Sequence, residues 1–201
     1  MARVKICGIN TPEAHAAAAS ADWIGLNFFP RSPRFVTPAE AAALAGGPTR
    51  VGLFVDPTDA DLADTIAVAR LDILQIYAPP GRASDIRRRF GLPVWRAVGV
   101  SSPSHLPDPG EDVDGYVIES KAPAAATRPG GNAVAFDWSI LRGWAAPLPW
   151  MLAGGLDPVN VRTAIAASGA PAVDVASGVE RVRGVKDAGL IQTFIAEARA
   201  D

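Results

Sequence analysis

The chain has 201 residues, of which 49% are hydrophobic and 20% are charged, and its formal net charge is −2 at pH 7. This balance leaves no basic field to attract a nucleic acid, and no apolar run approaches the ~18 residues that a membrane span requires. One cysteine and two histidines exclude an internal disulfide and leave no ligand spacing for a structural zinc ion.

Length and composition together predict one globular domain over residues 1–201, because a single α/β barrel occupies about 200 to 250 residues. The apolar stretch at the N-terminus is too short for a signal peptide. We therefore expect a cytoplasmic protein without a membrane or nucleic-acid partner.

Short apolar runs rich in β-branched residues alternate with alanine-rich stretches along the whole chain. Runs that are apolar on both faces are typical of parallel strands covered by helices. The predicted strands cover residues 3–9, 23–29, 51–56, 71–77, 94–100, 115–120, 150–155 and 172–177.

Helix starts are predicted where a capping residue precedes a proline, because proline suits the first helical position. This pattern occurs at Thr11-Pro12, Thr37-Pro38, Asp56-Pro57 and Asp157-Pro158. The resulting βα order favours the α/β class and a closed (β/α)8 TIM barrel, with an open doubly wound sheet as the alternative. The long connection from Lys121 to Phe136 is interpreted either as a mobile active-site loop or as a plain surface loop.

Reactive groups of such barrels lie at the C-terminal ends of the strands. The first predicted strand carries Cys7 there, either as a general base or as a small buried side chain. The sixth ends at Glu119, either as an acid or as a partner of an arginine. A base and an acid on opposite walls suit an isomerisation, which requires no metal or redox cofactor.

Two further strand ends carry glycines, which allow backbone N–H groups to approach a phosphate. They are Gly154-Gly155 after the seventh predicted strand and Ser177-Gly178 after the eighth. After the second strand, the segment from Arg31 to Arg34 is interpreted either as a source of guanidinium groups for a substrate carboxylate or as plain surface arginines.

Over nearly its whole length the chain resembles the phosphoribosylanthranilate isomerases of tryptophan biosynthesis. The matching stretches are KICGI, GLNFFPRSPRFV, VGLFVD, LDILQI, FDW, LAGGLDPVNV and DVASGVE followed by GVKD. The resemblance depends on the joint order and spacing of these stretches.

The resemblance implies an Amadori rearrangement of N-(5-phosphoribosyl)anthranilate to 1-(2-carboxyphenylamino)-1-deoxyribulose 5-phosphate without a cofactor. It implies Cys7 as the base and Glu119, where the family has an aspartate, as the acid. Further residues match the family's binding positions: Arg34, Asp174 and Gln75 for the substrate, and Gly154, Gly155, Ser177 and Gly178 for its phosphate.

Two departures keep alternatives open. Glu119 is one methylene longer than the family's acid, and Tyr77 replaces a histidine beside a stiff Ala78-Pro79 pair. The alternatives are a catalytically impaired or silent phosphate-binding barrel, and the related isomerase of histidine biosynthesis. In every case the expected partner is a small phosphorylated molecule, and the expected assembly is a monomer or a homodimer.

Overall fold

The computed structural model of the protein describes residues 1–121 and 137–200, so most of the connection from Lys121 to Phe136 lies outside the described residues. Eight parallel strands form a closed barrel in chain order, and β1 also pairs with β8. This closure confirms the barrel and excludes the open sheet. The strands are β1 Arg3–Cys7, β2 Trp23–Asn27, β3 Thr49–Val55, β4 Ile73–Tyr77, β5 Val94–Val100, β6 Gly115–Ser120, β7 Trp150–Leu152 and β8 Ala172–Val175.

Six α-helices lie between or after these strands, and none that the structure describes has the length and apolar character to cross a membrane. In the described residues, the connections after β5 and β6 contain only short 3-10 turns, which differs from a strict βα repeat. Beyond β8, a small hairpin of β9 Glu180–Val182 and β10 Val185–Lys186 precedes the last helix. The helices are α1 Pro12–Ala17, α2 Pro38–Ala43, α3 Asp59–Ala69, α4 Pro80–Phe90, α5 Val161–Ser168 and α6 Ala188–Arg199.

Two of the four predicted helix starts are confirmed: Thr11 and Thr37 cap α1 and α2 through their side chains. The prediction at Asp56 is wrong because Asp56 has a positive φ of 44°, and Thr58 instead forms a capping box before α3. The prediction at Asp157 is also wrong. Its carboxylate accepts hydrogen bonds from the backbone of residues 159 and 160, and this turn delays α5 until after Asn160.

The barrel separates two hydrophobic clusters because successive side chains of a strand point to opposite faces. The larger cluster lies between strands and helices and includes Val4, Ile6 and Ile24. The smaller one fills the N-terminal part of the barrel interior. At the next inward positions toward the C-terminal ends, β1, β4 and β8 carry the buried polar residues Lys5, Gln75 and Asp174. The interior therefore changes from an apolar floor to a polar upper layer.

Arg50 at the start of β3 joins two helices to the barrel. Its buried guanidinium donates hydrogen bonds to the backbone carbonyl oxygens of Ala41, Leu44 and Ala69. The Ala41 carbonyl also accepts from the backbone N–H of Leu44, whereas the carbonyls of Leu44 and Ala69 lie at the ends of α2 and α3, where helical donors run out. Arg50 thus supplies a donor to these two helix ends.

Candidate active site

The C-terminal ends of the strands surround an open cleft. Such a cleft at this end of the barrel is the usual place for chemistry in this fold. Seven of the nine predicted site residues line it: Cys7, Arg34, Glu119, Gly154, Gly155, Asp174 and Ser177. The structure therefore brings together residues that lie up to 170 positions apart in the chain.

Cys7 lies at the end of β1, buried among charged neighbours. The Lys5 Nζ donates a hydrogen bond of 3.0 Å to Asp174 Oδ1, and the charges of Lys5 and Cys7 also act on each other. Burial disfavours the ammonium, but Asp174 and Cys7 more than offset it, so the pKa of Lys5 is raised. Lys5 is therefore a permanent cation beside the thiol.

Burial raises the pKa of the Cys7 thiol above its ordinary value, although the nearby charge of Lys5 acts in the opposite direction. Desolvation therefore outweighs the nearby cation in the free protein. A thiolate at this position is scarce at neutral pH, and it is a stronger base when it forms.

Glu119 enters the cleft from β6, and its side chain is buried. Tyr77, at the end of β4, also lines the cleft, and its hydroxyl interacts with Glu119. Burial raises the pKa of Tyr77 well above its ordinary value, and the charge of Glu119 adds to this effect. Tyr77 consequently remains protonated and can donate to the Glu119 carboxylate.

Arg34 is held at the opposite end of the cleft by the hairpin beyond β8. Its Nε and Nη2 donate to the two carboxylate oxygens of Glu180 at 2.5 and 3.0 Å. The Arg34 stem passes over Gly8, where an added Cβ would lie 2.4 Å from Arg34 Cδ. The glycine beside Cys7 thus makes room for this arginine.

Glycines shape the turns after β7 and β8. Gly154 and Gly155 have φ values of 88° and 69°, a region that side chains with a Cβ rarely adopt. Gly178 packs so tightly that an added Cβ would lie 1.9 Å from the Leu156 carbonyl oxygen. Gly178 does not line the cleft itself, but its missing side chain lets the two turns meet. The arrangement is suited to backbone recognition of a phosphate.

Gln75 lies in the polar layer inside β4 and does not line the cleft. Its Nε2 is 3.5 Å from the Tyr77 hydroxyl, and its Oε1 has no hydrogen-bond partner among the described residues. A role of Gln75 in substrate binding therefore stays a prediction. Within the same described residues, no group of three or more histidine, cysteine, aspartate or glutamate side chains could hold a metal ion.

Sequence reasoning missed Lys5, Glu180 and Lys186 as parts of the site. The signal for Lys5 was available, because the two-residue period of β1 turns Lys5 to the same inner face as Cys7. Glu180 and Lys186 become part of the site only because the hairpin folds back on Arg34, which no local pattern indicates.

These features define a class of protein: a (β/α)8-barrel enzyme with a thiol, carboxylates and glycine-bearing turns around one cleft. Comparisons with known proteins identify the family. The model of the N-(5'-phosphoribosyl)anthranilate (PRA) isomerase family matches residues 4–197. The N-(5'-phosphoribosyl)anthranilate isomerase of Acidiphilium cryptum is 55% identical over 205 residues and that of Hyphomonas neptunium 49% over 209, with at least 98% of each chain covered.

Solved structures agree with this assignment. The phosphoribosylanthranilate isomerase of Thermotoga maritima superposes with a TM-score of 0.83 at 31% identity and 99% coverage of both chains. A further structure of this kind, in complex with reduced 1-(o-carboxyphenylamino)-1-deoxyribulose 5-phosphate, is 30% identical with a TM-score of 0.81 and covers 99% of both chains. The chain belongs to the phosphoribosylanthranilate isomerase family and is an isomerase of tryptophan biosynthesis.

Proposed function

We propose that the chain catalyses the isomerisation of its family with Cys7 as the general base and Glu119 as the general acid. The observation that carries this proposal is that both residues line one cleft, together with Arg34, Asp174 and the glycine turns. No other cysteine exists in the chain.

In its protonated form, Glu119 donates a proton to the furanose ring oxygen as the bond from that oxygen to C1 breaks. The ring opens to an iminium ion at C1. The Cys7 thiolate then removes the proton from C2, and the electron pair of that C–H bond forms an enolamine. Tautomerisation of the enolamine gives the ketose amine, so the reaction is redox-neutral overall.

The longer glutamate is supported by Tyr77 in this proposal. The phenol of Tyr77 on β4 interacts with Glu119 on β6, across the intervening β5, and this interaction holds the extended carboxyl group. A fixed carboxyl group matters because about 1 Å of misplacement can cost about a hundredfold in rate. The two departures from the family pattern are thus in contact with each other.

At the two ends of the substrate, we assign the anthranilate carboxylate to Arg34 and the phosphate to the turns at Gly154, Gly155, Ser177 and Gly178. Arg34 uses two of its five N–H donors for Glu180, so three are left for a ligand. Asp174 lies beside Cys7 and is assigned to the anthranilate nitrogen.

We also propose that residues 1–201 form a single domain that acts in the cytoplasm as a monomer or a homodimer on a small phosphorylated substrate. A relative from Thermotoga maritima is described both as dimeric and in monomeric form, so either state is compatible with the barrel. Light scattering of the purified protein would distinguish the two.

The test is the decay of fluorescence of freshly generated phosphoribosylanthranilate with the wild type, Cys7→Ala and Glu119→Ala. Each variant should lose about two orders of magnitude or more in rate, because acid and base groups contribute about 10²- to 10⁴-fold. Binding of the reduced product analogue should persist. A wild type that binds the analogue without turnover would instead establish the silent barrel, and active variants would refute the assigned roles.

A further inference from the structure

The cluster of Arg34, Glu180 and Lys186 lies under one end of the cleft, and Lys186 has no part in the mechanism described so far. All three side chains are buried, with exposed fractions of 4%, 3% and 1%. The Lys186 Nζ donates to Glu180 Oε1 at 3.1 Å and to the backbone oxygen of Ala176 at 2.6 Å. Burying three charges this completely is costly unless each has a partner.

Lys186 gives the cluster its net positive charge. Arg34 and Glu180 form a bidentate pair whose charges cancel, and a neutral pair attracts an anion only weakly. Lys186 adds one positive charge, so the cluster as a whole carries +1. Burial opposes the charge of Glu180, but Arg34 and Lys186 together hold its pKa below the ordinary value, which keeps the carboxylate ionised.

The position of Lys186 also connects the two ends of the cleft. Through Glu180 it contacts the arginine at the anthranilate end. Through the Ala176 carbonyl it holds the backbone directly before Ser177 and Gly178, at the phosphate end. Glu180 is fixed from a third side by the backbone N–H of Gly184 at 2.9 Å.

We propose that Lys186 is a positioning residue that supplies the net positive charge with which the Arg34–Glu180 pair binds the substrate carboxylate, while its second hydrogen bond anchors the phosphate turn. The proposal rests on the assignment of Arg34 to that carboxylate. The Lys186 Nζ hydrogen-bonds Glu180 and Ala176, and its charge alone acts on Cys7.

The ammonium has a distinctive titration. Burial lowers the pKa of Lys186 to about 8, although Glu180 raises it. The charged or titratable groups that face it are Glu180 from β9, Arg34 from the loop after β2 and Cys7 from β1. Its positive charge is present below pH 8 and is lost as the pH rises through that value. Substrate affinity should therefore fall across this range.

The experiment compares Lys186→Met with Arg183→Met, which removes an exposed positive charge from the same hairpin. The probe is reduced 1-(o-carboxyphenylamino)-1-deoxyribulose 5-phosphate, used as an inhibitor. At pH 7, Lys186→Met should raise its Ki and the substrate KM about tenfold or more, with kcat changed less than about threefold. Arg183→Met should change the three values by less than about twofold.

The dependence of the inhibitor Ki on pH distinguishes an electrostatic role of Lys186 from a purely structural one, because a structural role would give no change near the pKa of Lys186. The phosphate of the probe has its second pKa near 6, so its charge is constant above about pH 7. For the wild type, the Ki should rise from pH 7 to 9 with a midpoint near 8. Lys186→Arg, which keeps its charge, should abolish this rise, and Lys186→Met should show none.

Failure of the role of Lys186 can be distinguished from failure of the assignment of Arg34 to the substrate carboxylate. If Arg34→Met leaves the Ki unchanged, the assignment of Arg34 is wrong and the inference fails with it. If Arg34→Met weakens binding while Lys186→Met behaves like Arg183→Met, only the inference is overturned. Should Lys186→Met fail to fold, a wild-type Ki that does not change between pH 7 and 9 overturns the inference, and an inflection near 8 supports it.

Discussion

Replacing Lys5 with methionine tests the electrostatic control of the proposed base. The Lys5 Nζ and the Cys7 Sγ both lie within 3.2 Å of the position that a Cβ on Gly25 would occupy, and the charge of Lys5 acts on the thiol. A unit charge ~5 Å away contributes about 3 kcal/mol at an effective dielectric constant of about 20, or about two pKa units. Loss of Lys5 should raise the pKa of Cys7 further by this amount.

The consequence for catalysis follows from the population of the thiolate. A rise of about two units in the pKa of Cys7 removes about 99% of the thiolate present at pH 7. The remaining thiolate is a stronger base, so the rate falls less than the thiolate population does. We expect kcat/KM at pH 7 to fall tenfold to a hundredfold, roughly, and the rising limb of its pH profile to move to higher pH.

Fluorescence decay of the substrate between pH 6 and 10 measures the profile. Because the chain has one cysteine, the ultraviolet absorbance of the thiolate gives an independent titration of Cys7. Arg162→Met, on the outer face of α5, is the matched control with an exposed charge removed. Profiles of Lys5→Met and the wild type that rise at the same pH would refute the reasoning, whatever the change in maximal rate.

Tyr77→Phe removes the hydroxyl that contacts Glu119 and should lower kcat about tenfold with little change in analogue binding; equal kcat values would show that Glu119 is held without the phenol. Gly178→Ala places a Cβ 1.9 Å from the Leu156 carbonyl oxygen and so separates the two turns that meet there. It should weaken the binding of inorganic phosphate more than tenfold and lower the thermal stability. An unchanged phosphate affinity in calorimetric titration would contradict this. Arg50→Met removes the guanidinium partner of the buried carbonyl oxygens of Leu44 and Ala69 and should destabilise the fold by about 3 kcal/mol in urea unfolding, with kcat preserved in the folded fraction. A smaller effect of Arg50→Met would mean that water replaces the guanidinium.

The barrel was predictable because its signals are local. Each strand is a short apolar run, so its presence and its place in the order can be predicted even where its bounds are not exact. The strand predicted over residues 3–9 is Arg3–Cys7 in the structure, and the one predicted over 172–177 is Ala172–Val175. The helix start at Thr37 followed from side-chain capping within four residues. Asp56 failed because two capping residues compete within one short segment, and the backbone conformation decides between them.

The site was predictable only where strand ends mark it. Cys7 and Glu119 come directly at such ends, and their shared cleft follows from closure of the ring. The direction of the Cys7 pKa shift was not accessible, since it depends on how completely the folded barrel removes water from the thiol. The contact between Arg34 and Glu180 spans 146 residues and depends on the path of a hairpin, about which the sequence pattern is silent.

The ion pair between Lys5 and Asp174 lies on the seam where the first barrel strand meets the last, across 169 residues of chain. In a barrel whose eighth strand has not docked, the Lys5 ammonium lacks its partner Asp174, and Cys7 lacks the electrostatic surroundings that it has in the folded protein. A slip of one residue along this seam would turn Lys5 outward and bring Val4 inward, leaving Asp174 buried without its partner. Enzymatic activity is therefore a direct report of correct barrel assembly, and a barrel divided into two fragments should recover its activity in step with the docking of β8 onto β1.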